Sequence, residues 1–529
     1  MNSSGPNNCR LWPYEEARRL LERDGDGARE IVFEGGFGPS GLPHLGTMAE
    51  VLRPSFVRHA VRLIAPQRRS RLIVFIDDMD GLRKVPENVP ERERVERYLG
   101  QPVSRIPDPF GCCESFSGHM VKLLRELLRP LHLEHELILS SEMYANGRFD
   151  PILRLVLEKY QEIIDLMVPT LRDENRAAWS PFLPICPSCE QVNSTRVIAH
   201  HPERGTVEFS CERTFGGSRP CGFSGERSVL GGQAKVQWKV DWAMRWRLFG
   251  VDYELYGKDL IDSARLSGQI VRLLGGTPPL GFPFEMFLDE EGRKVSKSVG
   301  RGVTVEQWQR YAPIEALKYF LFVNPRRARK LFLAAIPQYV DEYLEELRAY
   351  AAAKDEEKPL DSPLEFVLAP DSPRRFNSDL SFSLVMNVAA ALGVSDRELM
   401  WNYLTRYDPA ILADEDTRRM AEALLACALN FRRDYLEPAL LPYEPQVQDR
   451  LIAQKLIDFL TTSPEASARE IETAIYDIGR ALFPEKPGKV FQPLYRMIMQ
   501  QDRGPRLGAF IRLATPQRVI GILERRLAN

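Results

Sequence analysis

The sequence predicts an α/β protein: a doubly wound parallel-sheet domain, interrupted by an inserted cysteine-bearing subdomain and followed by an all-helical C-terminal region. Three observations predict it. Short apolar runs near the N-terminus are separated by a glycine-rich turn and a helical stripe. Four cysteines cluster between 186 and 221, where a continuous sheet would otherwise run. Beyond about 305 the strand candidates give way to long helical patterns. A chain of 529 residues has room for about three or four domains of roughly 100–200 residues each.

The first strand begins at Ile31 and is expected to reach Glu34, running straight into GGFGPSGLPHLGT. Met48 to Ile64 follows with Val51, Leu52, Phe56, Val57 and Val61 on one helical stripe, which Pro54 would bend or delay. Leu72 to Ile76 is apolar throughout, as befits a strand buried on both faces of a parallel sheet. Ligands in such sheets bind at the carboxyl ends of the strands, which is where the glycine turn and DDMDGLRK would fall. Leu137 to Leu139, Tyr253 to Tyr256 and Phe284 to Leu288 are further strand candidates. The interruption implies an insertion at 96–235 between half-domains 1–95 and 236–305. Helical regions are expected at 306–378, with a proline- and acid-rich connection from 353 onward, and at 379–529, where Ile452, Leu456, Phe459 and Leu460 share one helix face.

Composition narrows the function classes. With 44% hydrophobic and 27% charged residues, and 71 basic against 73 acidic ones for a net charge of −2, the chain is neither disordered nor rod-like. Any nucleic-acid surface must be a local patch. Residues 484 to 529 carry such an excess, and PRRARK at 325–330 is a second basic cluster; either could also be a solvated face. Eight cysteines are too few for a disulfide scaffold. With no leader-like N-terminus and no long apolar run, a soluble, cytoplasmic protein without membrane contact is expected.

Two segments carry chemistry. In PSGLPHLGT the glycines let backbone approach a ligand, and the following helix N-terminus offers unpaired N–H groups to an anion, with His44 at the mouth; the alternative is a tight turn with a capping histidine. In GRKVSKSVG, Lys294 and Lys297 lie among hydroxyls and glycines, as suits a loop closing on a polyphosphate; the alternative is a solvated basic loop. Together, about 250 residues apart, His44-Leu45-Gly46-Thr47 and Lys294-Val295-Ser296-Lys297-Ser298 resemble the two signatures of class I aminoacyl-tRNA synthetases. FIDDMDGLRKVPENVP, IPDPFGCCESFSGHM, VDWAMRW and GVDYELYGKD resemble, in order, segments of the class I lysyl-tRNA synthetases across most of the first 320 residues, and GPRLGAFIRL resembles the last helices of the glutamyl and lysyl enzymes.

The resemblance implies a Rossmann-type catalytic domain, an anticodon-binding helical region, and formation of lysyl-adenylate from lysine and ATP with Mg²⁺, followed by transfer to the terminal adenosine of tRNA(Lys), by a monomer. It implies His44, Lys294 and Lys297 as catalytic residues. ATP contacts would come from Pro39, Gly41, His44, Gly46, Thr47, Gly257 and Asp259, and from Lys294, Ser296, Lys297 and Ser298. Lysine contacts would come from Gly36, Asp78, Trp238 and Trp242. Thr47 stands where the signature ends in histidine, and Leu260 where many relatives have one.

The residues themselves add two arguments. A buried ε-ammonium needs a carboxylate, and Glu34, Asp77, Asp78 and Asp80 all fall at strand ends, though Arg83 and Lys84 could neutralise them. Trp238, Trp242 and Trp246, spaced four apart, could wall a four-carbon stem and its cation, or simply pack a core. Cys186, Cys189, Cys211 and Cys221 suit a structural Zn²⁺; the alternatives are cysteines packed without metal, or His200 or His201 in place of one ligand. Cys9, Cys112, Cys113 and Cys427 read as ordinary thiols, and His59, His119, His132 and His135 as structural or surface residues. The competing readings are a glutamyl or glutaminyl relative, a non-catalytic tRNA-binding paralogue, and a nucleotidyltransferase that has left tRNA.

Overall fold

The computed structural model describes residues 9–25, 27, 29–214, 216–294, 303–352, 361–391, 397–436, 443–500, 502–504 and 506–528. They form two compact units, the first comprising Met1–Val305, Leu321–Leu333 and Pro359–Ala369, the second Glu306–Phe320, Ala334–Lys358 and Pro370–Asn529. One division between the units falls at 305/306. The chain nevertheless returns twice to the first unit, so that 306–378 is divided between the two.

In the first unit, helix α1 (Trp12–Asp24) precedes strand β1 (Ile31–Phe37), helix α2 (Leu45–Ile64) and strand β2 (Ser70–Ile76). Next come α3 (Phe116–Leu128), β3 (Glu136–Leu139) and α4 (Ser140–Ala145). Five short strands follow: β4 (Phe182–Pro184), β5 (Thr195–His201), β6 (Thr206–Cys211), β7 (Ser224–Ser228) and β8 (Ala234–Val236). Helix α5 (Trp238–Phe249), strand β9 (Val251–Glu254) and helix α6 (Ile261–Leu273) complete the set used below. The main sheet has the order β3-β2-β1-β9, with every neighbouring pair parallel. The chain leaves β1 toward β2 on one side and returns to β9 on the other, so a crevice opens at the carboxyl ends of β1 and β9, the switch point where α/β sheets bind ligands.

Burial explains the strands. Ile31, Phe33, Ile73, Val74 and Ile76 are all inaccessible, as a sheet covered by helices on both faces demands. The ladder between β1 and β9 slips between Val32 and Phe33, and the Asp252 carboxylate accepts the Val32 N–H at 2.9 Å there. Gly35 is dictated by packing, because a Cβ there would lie 2.7 Å from the Glu50 carbonyl oxygen of α2. Helix α2 begins three residues earlier than the apolar stripe predicts, at a capping box, and continues through Pro54.

Two expectations are corrected. The stretch 96–235 is not a single insertion, because β3 lies inside it and forms the edge of the main sheet. Ile152, Leu153, Val156 and Ile163, also inside it, share one core with Ile73 and Val251. The cysteine-bearing part is confined to a ladder of β4 with β8 and a three-stranded sheet β5-β6-β7. Residues 284–288 do not add a strand to the main sheet. Pro283–Phe284 pairs with Tyr256–Gly257, and Phe287–Leu288 with Arg329–Lys330. Pro278, Pro279 and Pro283 remove donors that a longer ladder would need.

The described residues of the second unit are helical or irregular. Helix α7 (Val447–Thr462) buries Ile452, Leu456 and Leu460 on the predicted face, with Phe459 half-buried. Helix α8 (Ala468–Leu482) opens with a Ser467–Glu470 capping box and buries Ile471, Ile475 and Ile478.

Candidate active site and metal centres

The glycine turn connects β1 to α2, and His44 is the N-cap of that helix. Its Nδ1 accepts the Thr47 N–H at 3.2 Å, and Thr47 Oγ1 accepts the His44 N–H at 3.4 Å. With Nδ1 accepting, the proton of the neutral ring belongs on Nε2, the tautomer able to donate to an anion. A Cβ on Gly46 would come within 2.5 Å of His44 Cε1, so this glycine makes room for the imidazole. Thr47 is 1% exposed, and its hydroxyl oxygen is engaged by the His44 N–H. Pro39 and Gly41 are buried in the turn. The capping alternative is therefore realised, and it fixes the ring in place.

Beside the turn, at the ends of β1 and β9, lies a cavity of about 190 Å³ bordered by Gly36, Trp238, Trp242, Asp77, Asp80 and Glu254. A Cβ on Gly36 would meet nothing within 4 Å. Trp238 and Trp242 stack with centroids 4.8 Å apart, and Trp242 is next in contact with Trp246 at 4.8 Å. Three of the four expected lysine contacts thus come together. Asp78 does not join them: it is 1% exposed, and its carboxylate accepts the Ser141 N–H at 2.7 Å and the Ser141 hydroxyl at 2.6 Å, tying the start of α4 to the end of β2. Asp77 and Asp80, on either side of it in sequence, border the cavity instead.

The acidic groups here are paired, though not with Arg83 or Lys84. Lys235, 1% exposed, bridges Asp77 at 3.3 Å and Asp80. Arg245 joins Glu34 at 2.9 Å and Asp241 at 2.8 Å and lies 4.2 Å from the Phe75 ring centroid. Burial is the first cause of the raised carboxyl pKa of Glu34, Asp77, Asp241 and Glu254; Arg245 opposes it at all four and Lys235 at Asp77 and Asp241. This pocket holds more carboxyl groups than cationic ones, and sequence reasoning missed Lys235, Arg245 and Glu254. Glu254 was visible as an acid at the end of a strand candidate, while the two cations carried no local signal.

Of the second signature, Lys294 lies within the described residues, and Ser296, Lys297 and Ser298 lie outside them. Lys294 Nζ pairs with Asp259 at 2.7 Å, with both side chains about half exposed. Such a pair is worth about 0–1 kcal/mol, weak enough to yield to a phosphate. A Cβ on Gly257 would fall 2.6 Å from Asp259 Oδ1, so a side chain there would push the Asp259 carboxylate aside.

Two groups of side chains fit a metal. Cys186, Cys189, Cys211 and Cys221 lie within 4.8 Å of one another, with Sγ separations of 3.6 Å for Cys186–Cys221 and for Cys189–Cys211. Four thiolates about 2.3 Å from zinc would stand roughly 3.8 Å apart, so the donor set fits. The long spacing of the second pair spans the connection from β6 to β7, where Gly216, Gly217 and Gly222 take positive φ. His200 stacks on Tyr160 and His201 pairs with Glu208; neither substitutes for a cysteine. The second group, Asp108, Cys112, Cys113 and His119, is equally close: Cys112 Sγ is 3.1 Å from His119 Nδ1 and 3.5 Å from Cys113 Sγ. Asp108 is held by the N–H groups of Phe110, Cys112 and Cys113. Cys112, Cys113 and His119, read from the sequence as ordinary thiols and a structural histidine, thus come together with Asp108 in a group that could hold a metal ion; a CC pair followed by a histidine six residues on matches no standard knuckle.

The basic clusters are partly consumed by internal contacts. Arg326 pairs with Glu16, and Lys330 donates to the Glu290 carbonyl. In the second unit Arg496 pairs with Asp502 and Arg512 with Glu465, whereas Lys486, Lys489, Arg503 and Arg506 are exposed.

Comparison with known proteins matches this outline. A family profile described as "tRNA synthetases class I (K)" fits residues 10–367. The chain is 37% identical over 522 residues to the lysine–tRNA ligase of Rickettsia bellii, covering 98% of each, and 38% identical over 520 residues to that of Rickettsia felis, covering 98% of this chain and 97% of the relative. Among solved structures, a glutamate tRNA ligase from Elizabethkingia meningosepticum aligns with 95% of this chain and 100% of its own at a TM-score of 0.43 and 13% identity. The class is that of the class I aminoacyl-tRNA synthetases. Within it, the chain belongs to the class I tRNA synthetase (K) family.

Proposed function

We propose that this protein is a lysine–tRNA ligase, which activates lysine with ATP to lysyl-adenylate and transfers the lysyl group to the terminal adenosine of tRNA(Lys). The observation that carries the amino-acid choice is the cavity at the switch point, walled by Trp238 and Trp242 and bordered by more carboxylates than cations. Glutamate would need the opposite charge balance, which disfavours the glutamyl alternative.

The substrate carboxylate is itself the nucleophile toward the α-phosphate, so no side chain need attack. His44 Nε2, the turn glycines and the start of α2 bind the phosphates. Lys294 exchanges Asp259 for pyrophosphate oxygens, and Lys297, Ser296 and Ser298 are assigned to the same group. Gly36 forms the floor on which the lysine backbone rests. ATP arrives with Mg²⁺, which would neutralise phosphate charge. Both metal-ligand groups are assigned structural zinc. The helical second unit is assigned to the tRNA anticodon, with the exposed bases after 484 as its phosphate contacts. Function in the cytoplasm as a monomer completes the reading; among the described residues no helix is long and apolar enough to cross a membrane.

The test is ATP–pyrophosphate exchange with each of the twenty amino acids, with and without total tRNA. Exchange with lysine alone supports the assignment. Exchange with glutamate would move the protein to the sister specificity, and none under either condition would leave a binding protein.

A further inference from the structure

The carboxylates of the cavity are not equivalent. Asp77 and Asp80 share Lys235, and Glu34 and Asp241 share Arg245. Glu254 makes no ion pair among the described residues. Its Oε2 accepts the indole N–H of Trp242 at 2.8 Å and of Trp246 at 2.5 Å, which fixes the carboxylate; no donor among the described residues reaches Oε1. Glu254 borders the cavity yet is only 5% exposed, whereas the Asp80 side chain is 46% exposed. Depth therefore runs from Asp80 at the mouth to Glu254 at the bottom.

We infer that Glu254 is the specificity-determining residue of this pocket, receiving the ε-ammonium of substrate lysine on Oε1 while Lys235 keeps the acidic mouth neutralised. This rests on the lysine reading above. A desolvated carboxylate held by two N–H donors, and acted on only by an Arg245 already paired with Glu34 and Asp241, is costly until a cation of its own arrives. The stacked Trp238 and Trp242 line the route that a four-carbon stem would take, so the cation is delivered where charge is missing. An acceptor left unpaired rejects a competitor lacking the ammonium far more strongly than apolar contact could.

The experiment compares the full-length wild type with Glu254→Gln in ATP–pyrophosphate exchange, using lysine and 2-aminoheptanoate, in which a methyl replaces the ammonium. Glutamine retains an acceptor for the indoles and loses the charge. The expected result is a rise in lysine KM of about 100-fold, an unchanged KM for ATP, and a collapse of the lysine to 2-aminoheptanoate kcat/KM ratio by a similar factor. An unchanged lysine KM would overturn the inference. So would an equal loss for both substrates, which would put the α-ammonium at Glu254. If the variant does not fold, Glu254→Asp carries the test: withdrawing the charge by one methylene should shift preference from lysine toward homolysine, and no shift overturns the assignment. A wild type that does not activate lysine would instead defeat the functional reading.

Discussion

His44 illustrates how one residue is placed by two others and by the helix it caps. Thr47 caps it, Gly46 makes room for it, and the helix it caps directs N–H groups to the same point. Gly46→Ala meets a side-chain ring rather than backbone, so it should displace the imidazole and leave the fold intact. We expect pyrophosphate exchange to fall about 10²-fold, as a misplaced catalytic group costs, with a melting temperature close to wild type; full activity would remove His44 from the mechanism. The cavity carboxyls predict a pH dependence. Burial, assisted by Asp80 and Asp241 and opposed by Lys235 and Arg245, pushes Asp77 up to about 7. Its neutral form dominates below that value and its anion above it, and a cationic substrate binds the anion better. The KM for lysine should therefore fall as pH rises from 6 to 8, by at most about tenfold per unit below the midpoint. A KM independent of pH across that range would contradict the charge balance described.

At the scale of elements, the two metal-ligand groups make separate claims. The four-cysteine group joins the turn after β4 to the end of β6 and the approach to β7, and the second group joins the loop carrying Asp108, Cys112 and Cys113 to His119 in the first turn of α3. The zinc-loaded wild type should contain two equivalents per chain by metal analysis. Cys186→Ser and Cys112→Ser should each retain one, and Cys186→Ser should in addition expose the 182–236 region to proteolysis. One equivalent in the wild type would eliminate one of the groups, and whichever variant then became metal-free would identify the genuine site. Neighbouring sequence could disclose the four cysteines because CPSC is a local spacing. The second group needed the loop at Asp108–Cys113 to fold back against the first turn of α3 before it became a cluster.

For the whole molecule, the near-zero net charge means that tRNA must be held by a patch rather than by a general field. Replacing Lys486, Lys489, Arg503 and Arg506 by glutamine should weaken tRNA binding at physiological salt. The slope of log affinity against log salt should become shallower by up to about 0.7–0.9 for each phosphate that is no longer neutralised. An unchanged slope would place the tRNA surface elsewhere. The same four changes lie in the second unit, whereas the cavity is built by the first, so lysine KM should stay as it is.

What the sequence determined by itself is whatever depends on neighbours along the chain. The strand run at Leu72–Ile76, the glycine turn with His44, the helix face of Ile452, Leu456 and Leu460, and the CPSC knuckle are all of that kind, because periodicity, φ preference and short ligand spacings are local properties. Tertiary structure alone decided that β3 belongs to the main sheet, since a four-residue apolar strand does not encode its partner. It also decided that Asp78 serves α4 while Asp77 and Asp80 face the cavity, and that Lys235, more than 150 residues away, is their counter-ion. Charge pairing across such separations follows from which strand ends converge, and that convergence is set by the β3-β2-β1-β9 order.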